Sequence, residues 1–150
     1  MFEARKFNQE SYDCYDKMIK DLWIDFIESK GFTITKSEED FEVDIKAEKN
    51  GFEYCFEVES KSTYPFYDEE SFPFDSVSFA GRKKRLADQG SFWYVIINHK
   101  TETAIVCHSN VIFNDEYIQT ININTDQRQG LDQFYRVPKH KCRFIKINTQ

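Results

Sequence analysis

Asp44, Glu57 and Lys61 are the residues of this 150-residue chain whose types and spacing could do chemistry together. Carboxylates converging from neighbouring strands offer hard oxygen ligands to Mg²⁺ or Mn²⁺. An ion held in that way lowers the pKa of bound water and stabilises charge on a phosphodiester. A nearby ammonium orients the water or offsets the developing charge. Asp44 and Glu57 are the expected metal ligands, with the main-chain carbonyl of Val58 as a further one.

These residues need a β-hairpin to bring them together. Phe41, Val43 and Ile45 alternate with Glu42, Asp44 and Lys46, so Asp44 is expected on the face opposite the apolar one. Lys49-Asn50-Gly51 supplies the turn, because Asn-Gly tolerates the positive φ values of tight hairpins. The returning strand, from Phe52 to about Ser60, sets Tyr54, Phe56 and Val58 on one face. Glu53, Cys55, Glu57, Glu59 and Lys61 fall on the other. Taken alone, such a hairpin also reads as the wet face of a sheet.

The flanking elements follow from periodicity. Residues from about Ser11 to Lys30 repeat apolar side chains at helical steps, with Asn8 or Ser11 as the cap and Gly31 as the stop. Phe32 to Lys36 reads as a short strand, and Ser37 to Asp40 as an acidic turn. Ser62 to Asp75, with Pro65 and Pro73, reads as an aromatic loop leaning over the site. Within it Tyr64, Phe66, Tyr67 and Phe72 are candidates for stacking on nucleobases. Ser76 to about Gln89 is expected as a helix carrying Arg82, Lys83, Lys84 and Arg85. Phe92 to Asn98 is a central buried strand, paired with Glu102 to His108. Ser109 to Tyr117 is ambiguous. Ile118 to Ile123 suggests an edge strand, Thr125 to Gly130 a linker, Leu131 to Tyr135 a helical turn and Cys142 to Ile147 a last strand. The expected class is α/β (α+β mixed), a central mixed β-sheet flanked by helices in a single domain.

The helix, the strand, Asp44, the Asn-Gly hairpin and the segment Glu57-Val58-Glu59 together resemble the core of the PD-(D/E)xK nuclease superfamily. Within it the chain is most similar to small Holliday-junction-resolvase-type nucleases of restriction-endonuclease-like fold. The step from Asp44 to Glu57 is 13 residues, which suits the family's spacing. The resemblance spans roughly residues 11–100, with residues 101–150 extending the sheet. It implies a metal-dependent nuclease hydrolysing phosphodiester bonds in nucleic acid, DNA ahead of RNA, with Mg²⁺ or Mn²⁺ as cofactor. It further implies that Glu59 ligates or assists and that Lys61 positions the attacking water. An acid of the first helix, Asp16 or Asp13, is an accessory candidate, and a homodimer is compatible with the family. The sequence departs from the pattern at position 59, where the family expects lysine and this chain has glutamate. Lys61, or Lys83 or Lys84 of the following helix, then becomes the candidate source of the ammonium. The alternative is a catalytically silent member of the fold, acting as a protein-interaction or nucleic-acid-binding module. A third is an unrelated α+β protein whose hairpin acids merely solvate.

Composition narrows the partners. Net charge is −6 at pH 7, which argues against indiscriminate polyanion binding. The charge is polarised, with 16 acids and 8 bases in residues 1–60, against 1 acid and 6 bases in residues 127–150. Arg82, Lys83, Lys84 and Arg85 suit phosphate contacts beside a cleft. The four cysteines form no CxxC pair, and Cys55 and Cys107 lie in apolar runs, so reduced thiols are expected rather than a zinc site. His99, His108 and His140 share no ligand-like spacing, and Trp23 and Trp93 read as core. No apolar run is long enough for a membrane span, and the N-terminus lacks a signal-peptide core, so a cytoplasmic protein is expected.

Overall fold

The computed structural model describes residues 9–37, 43–125 and 128–148. The cap candidate Asn8, the turn residues Glu38 to Asp40 and Phe41 lie outside the described residues, as do the side chains of Ser11 and Asp13. The molecule is mixed α/β, with six strands in one mixed sheet, three in an antiparallel one, and few helices.

Helix α1 (Gln9–Ser29) is amphipathic and presents Ile19, Trp23 and Ile27 inward. Phe32 N–H bonds to Ile27 O at 3.1 Å and Gly31 N–H to Glu28 O at 3.0 Å, the paired closure that ends helices. The chain then runs through β1 (Thr33–Lys36), β2 (Ile45–Lys49) and β3 (Phe52–Ser60) as an antiparallel meander. Asn50 and Gly51 have φ of 53° and 81°, a two-residue turn whose twist matches the flanking strands. Next to β3 lie β5 (Trp93–Asn98), parallel to it, then β6 (Thr103–His108) and β9 (Arg143–Lys146), both antiparallel to their neighbours.

The stretch after the aromatic loop departs from the helix expected over Ser76 to Gln89. Ser76–Ala80 is a strand, β4, then comes a 3-10 turn at Gly81–Lys83, and only Lys84–Gln89 is helical (α2). Val77 and Phe79 alternate with half-buried serines, and burying that face outweighs the helical tendency of the next residues. Helix α3 (Ser109–Ile112) and a 3-10 turn (Asp115–Tyr117) resolve the ambiguous segment. The helical turn expected at Leu131 to Tyr135 is also a strand. β7 (Ile118–Thr125) and β8 (Arg128–Pro138) form a long ribbon, and β8 pairs with β4 on its other side. Buried Tyr135 and Val137 sit at alternate positions, the period of a strand. The expected linker of Thr125 to Gly130 is the ribbon's end, Asp126 and Gln127 lying outside the described residues. The ribbon and β4 thus make a separate sheet, and of the C-terminal third only β6 and β9 extend the central one.

The central sheet is covered on both faces. On one, α1 packs Ile19, Trp23 and Ile27 against Ile45, Phe56, Val58, Val95, Ile97 and Val106. On the other, Val77, Phe79, Tyr135 and Val137 of the small sheet meet Tyr94, Ile96 and Ile105. Phe66 and Phe72 fill the same layer, only 0% and 3% exposed, so they and half-buried Tyr64 are packing groups rather than base-stacking platforms. Tyr67 remains exposed. Among the described residues no helix is long and apolar enough to cross a membrane.

Candidate active site

The ladder between β2 and β3 runs from Lys49–Phe52 to Ile45–Phe56 and stops there. Asp44 lies in a bend one residue before β2, not within the strand as its alternation suggested. The bend also splits Val43 from Ile45. Val43 packs in the layer of the small sheet and Ile45 in that of α1, although the sequence set them on one face.

Side chains take over where the ladder stops. Asp44 N–H donates to Glu57 Oε2 at 3.2 Å, and Val58 N–H donates to Asp44 Oδ2 at 3.0 Å. Each carboxylate satisfies a backbone donor that would otherwise be orphaned at a strand end. The two acids therefore cross over one another. In an extended strand the N–H and C=O of a residue face the same side, so the Val58 carbonyl also faces the Asp44 edge.

Each acid has an ammonium partner from outside the hairpin. Lys83, in the 3-10 turn after β4, hydrogen-bonds Glu57 Oε1. Lys20, in the middle of α1, lies 3.3 Å from Asp44 Oδ1 and 2.8 Å from Asp16 Oδ2. Asp16 thus reaches the site through Lys20. The Glu57 side chain is only 5% exposed, so the hairpin face is covered at Glu57, although Glu53 farther along it is exposed. Burial raises the Glu57 pKa, the neighbouring Asp44 charge adds to the rise, and Lys83 opposes it.

Glu59 occupies a separate position on the same face. Its Oε2 accepts the hydroxyl of Tyr94, a fully buried residue of β5. Burial, with the Glu59 charge beside it, holds that phenol well above its ordinary range. Burial lowers the pKa of Lys61, while Glu59 holds it up. The ammonium on Glu57 comes from Lys83, not from Lys61.

The basic cluster divides. Lys83 points inward, whereas Arg82, Lys84 and Arg85 are exposed. Lys84 pairs along its own helix with Asp88 at 3.0 Å, so it does not enter the site as an accessory group. Beyond the acids, at the ends of β3 and β5, Ser62 Oγ lies 2.8 Å from His99 Nδ1 and the Tyr15 ring stacks on the imidazole at 4.8 Å.

Sequence reasoning missed Lys20 and Tyr94. For Lys20 a signal exists: it sits beside Ile19 on the buried face of α1, one i,i+4 step after Asp16. Tyr94 looks like any aromatic of an apolar strand.

The donor set can be tested against Mg²⁺ or Mn²⁺. Asp44, Glu57 and the Val58 carbonyl are hard oxygen donors, and Mg²⁺ is commonly held by one or two carboxylates with waters completing its shell. Among the described residues no group of three or more His, Cys, Asp or Glu side chains could hold a metal. The described residues thus form no larger acidic cage, and the four carboxylate oxygens of Asp44 and Glu57 already accept main-chain N–H groups or face Lys20 and Lys83. Comparison with protein-family models, with curated proteins and with solved structures finds no match for the chain.

Proposed function

We propose that this domain is a metal-dependent nuclease that hydrolyses phosphodiester bonds in nucleic acid, DNA ahead of RNA. The observation that carries the reading is the reciprocal crossing of Asp44 and Glu57 beside the Lys83 ammonium. Three features support it: the acids converge, their oxygens are hard donors of the kind Mg²⁺ or Mn²⁺ takes, and the Lys83 ammonium hydrogen-bonds Glu57. Glu59 in the lysine position is compensated by Lys83 arriving from a different element.

A bound divalent ion would supply water of lowered pKa and neutralise phosphate charge. Asp44, Glu57 and the Val58 carbonyl would hold it. Lys83 orients the attacking water and offsets the negative charge that builds on the phosphoryl oxygens. In the reaction the water oxygen bonds to phosphorus as the bond to the leaving sugar oxygen breaks. The proton released by the water passes to solvent, and the leaving oxygen takes one from solvent. Exposed Arg82 and Arg85 hold the flanking backbone.

The test is cleavage of plasmid, single-stranded DNA, branched DNA and RNA with Mg²⁺ or Mn²⁺, by the native chain and by Asp44→Asn and Glu57→Gln. Native cleavage lost in both variants is expected. Cleavage that survives both overturns the assignment.

A second reading, a catalytically silent nucleic-acid-binding or protein-interaction module, is favoured by one observation. Lys20 and Lys83 already neutralise both acids. Binding without cleavage of any of those substrates, in either metal, would select it.

A further inference from the structure

Cys107 and Cys142 lie at the far side of the central sheet from the hairpin, where β6 meets the edge strand β9. The last pair of that ladder is Val106–Arg143. Cys107 is the next residue of β6. Cys142 immediately precedes β9, its backbone still extended at φ −106° and ψ 156°. Both side chains enter the same apolar layer and are only 2% and 8% exposed. Cys107 Sγ lies 3.7 Å from the Lys141 carbonyl oxygen, and Cys142 Sγ lies 4.0 Å from that of Pro138. The two thiols also hydrogen-bond one another.

A buried cysteine by itself packs as a small hydrophobe. Two in mutual contact on neighbouring strands have a further chemistry. Paired residues of antiparallel strands hold their Cα atoms about 4.5–5.5 Å apart, inside the range of about 4.4–6.8 Å that a disulfide spans. We infer that Cys107 and Cys142 form a reversible oxidation site, which a peroxide joins into a disulfide that staples β9 to β6. The bond would close residues 107–142 into one loop holding α3, β7 and β8. It would also anchor the point where the chain crosses from the small sheet back to the central one. β9 is only four residues long, so a covalent tie at its start stabilises a short edge.

The Cys142 thiol lowers the Cys107 pKa against the rise that burial gives, whereas Cys107 and burial raise that of Cys142. Cys107 is therefore the attacking thiolate. Having lost its proton, its sulfur bonds to one peroxide oxygen as the O–O bond breaks, leaving a sulfenic acid and hydroxide. The Cys142 sulfur then bonds to the Cys107 sulfur, the S–O bond breaks, and the oxygen leaves as water with the Cys142 proton. Hydroxide takes up the Cys107 proton. Two thiols and one peroxide thus give one disulfide and two waters, two electrons passing from sulfur to oxygen. A dithiol reductant reverses the change by exchange.

The experiment treats the full native chain with hydrogen peroxide, alkylates the remaining thiols, and maps the non-reduced digest by mass spectrometry. A linked Cys107–Cys142 peptide is expected in the native protein and in Cys55→Ser. It should vanish after dithiothreitol, and in Cys107→Ser and Cys142→Ser. The oxidised native protein should unfold about 10 °C above the reduced one, a rise that neither Cys107→Ser nor Cys142→Ser shows. Should either of these two variants not fold, the linkage and the midpoint of the native protein carry the test. Both thiols still open to alkylation, or either one oxidised further or bonded to another cysteine instead, would overturn the site. An unchanged or lowered midpoint in the linked protein would overturn the staple.

Discussion

Asp44 and Glu57 lie just past the last ladder pair of β2 and β3, and each carboxylate accepts a hydrogen bond from a main-chain N–H across the hairpin. Asp44 N–H reaches Glu57 Oε2 at 3.2 Å, and Val58 N–H reaches Asp44 Oδ2 at 3.0 Å. The carboxylates are therefore part of the sheet's own hydrogen bonding. Structure and proposed chemistry compete for the same oxygens, and substitutions can separate the two.

Asp44→Ala removes the acceptor of the Val58 N–H and one of the carboxylates on the Lys20 ammonium, which keeps Asp16. Leaving the Val58 N–H unsatisfied costs about 1–3 kcal/mol. Asp44→Asn keeps one oxygen as acceptor and should lose distinctly less. Urea denaturation of the two variants checks the order. Nuclease activity should vanish in both, so a stable but inactive Asp44→Asn separates ligation from folding.

Lys83 and Lys84 are neighbours with opposite fates. Lys83→Ala should reduce cleavage on the order of 100-fold, the cost typical of losing one preorganised donor. Lys84→Ala removes an exposed helix pair with Asp88 and should leave the cleavage rate and the unfolding midpoint unchanged. Equal effects of the two substitutions on single-turnover rates would refute the inward assignment of Lys83.

Gly81 begins the turn that delivers Lys83. A Cβ there would lie 2.4 Å from the main-chain oxygen of Gln133 in β8, a collision with backbone that no rotamer relieves. Gly81→Ala should therefore destabilise by about 1–3 kcal/mol. It should also displace Lys83, lowering activity more than Lys84→Ala does. Thermal unfolding and cleavage rates measured together check this.

His108 gives the chain a mild acid sensitivity. Its Nδ1 accepts the Asn110 N–H at 3.2 Å, capping α3, and its ring lies edge-on to Trp93. Burial lowers its pKa below the usual 6.5. A lowered folded-state pKa means that the unfolded chain takes up the proton first. The contribution is fully present above pH 6.5 and is lost as pH falls from there through the folded value. His108→Asn retains a capping oxygen without titrating there. Its unfolding midpoint should fall less than that of the native protein between pH 7.5 and 5.5, and identical slopes would refute the assignment.

Local pattern made part of this fold legible. The stripe of Ile19, Trp23 and Ile27 marks α1, and the apolar run ending at Asn98 marks β5. β4 and β8 were not legible as strands, because each is stabilised by the other across the chain, from Ser76–Pro138 to Ala80–Phe134. Read locally, Ser76 to Ala80 is too short to outweigh the helix-forming residues after it. Phe66 and Phe72 misled for a related reason. In a proline-rich loop they look available, and only the layer they enter buries them.

What the sequence determined by itself is that Asp44 and Glu57 come to the same end of one hairpin. The two-residue Asn50-Gly51 turn sets the register as far as Ile45–Phe56, and the two acids lie just past that pair. Tertiary structure alone decided what surrounds the pair. Docking of α1 brings Lys20, the small sheet and its 3-10 turn bring Lys83, and the parallel neighbour β5 brings Tyr94 to Glu59. The physical reason is range. A turn fixes its own flanks through backbone dihedrals, whereas a partner 26 or 35 residues away is fixed only when the layers close over the apolar faces.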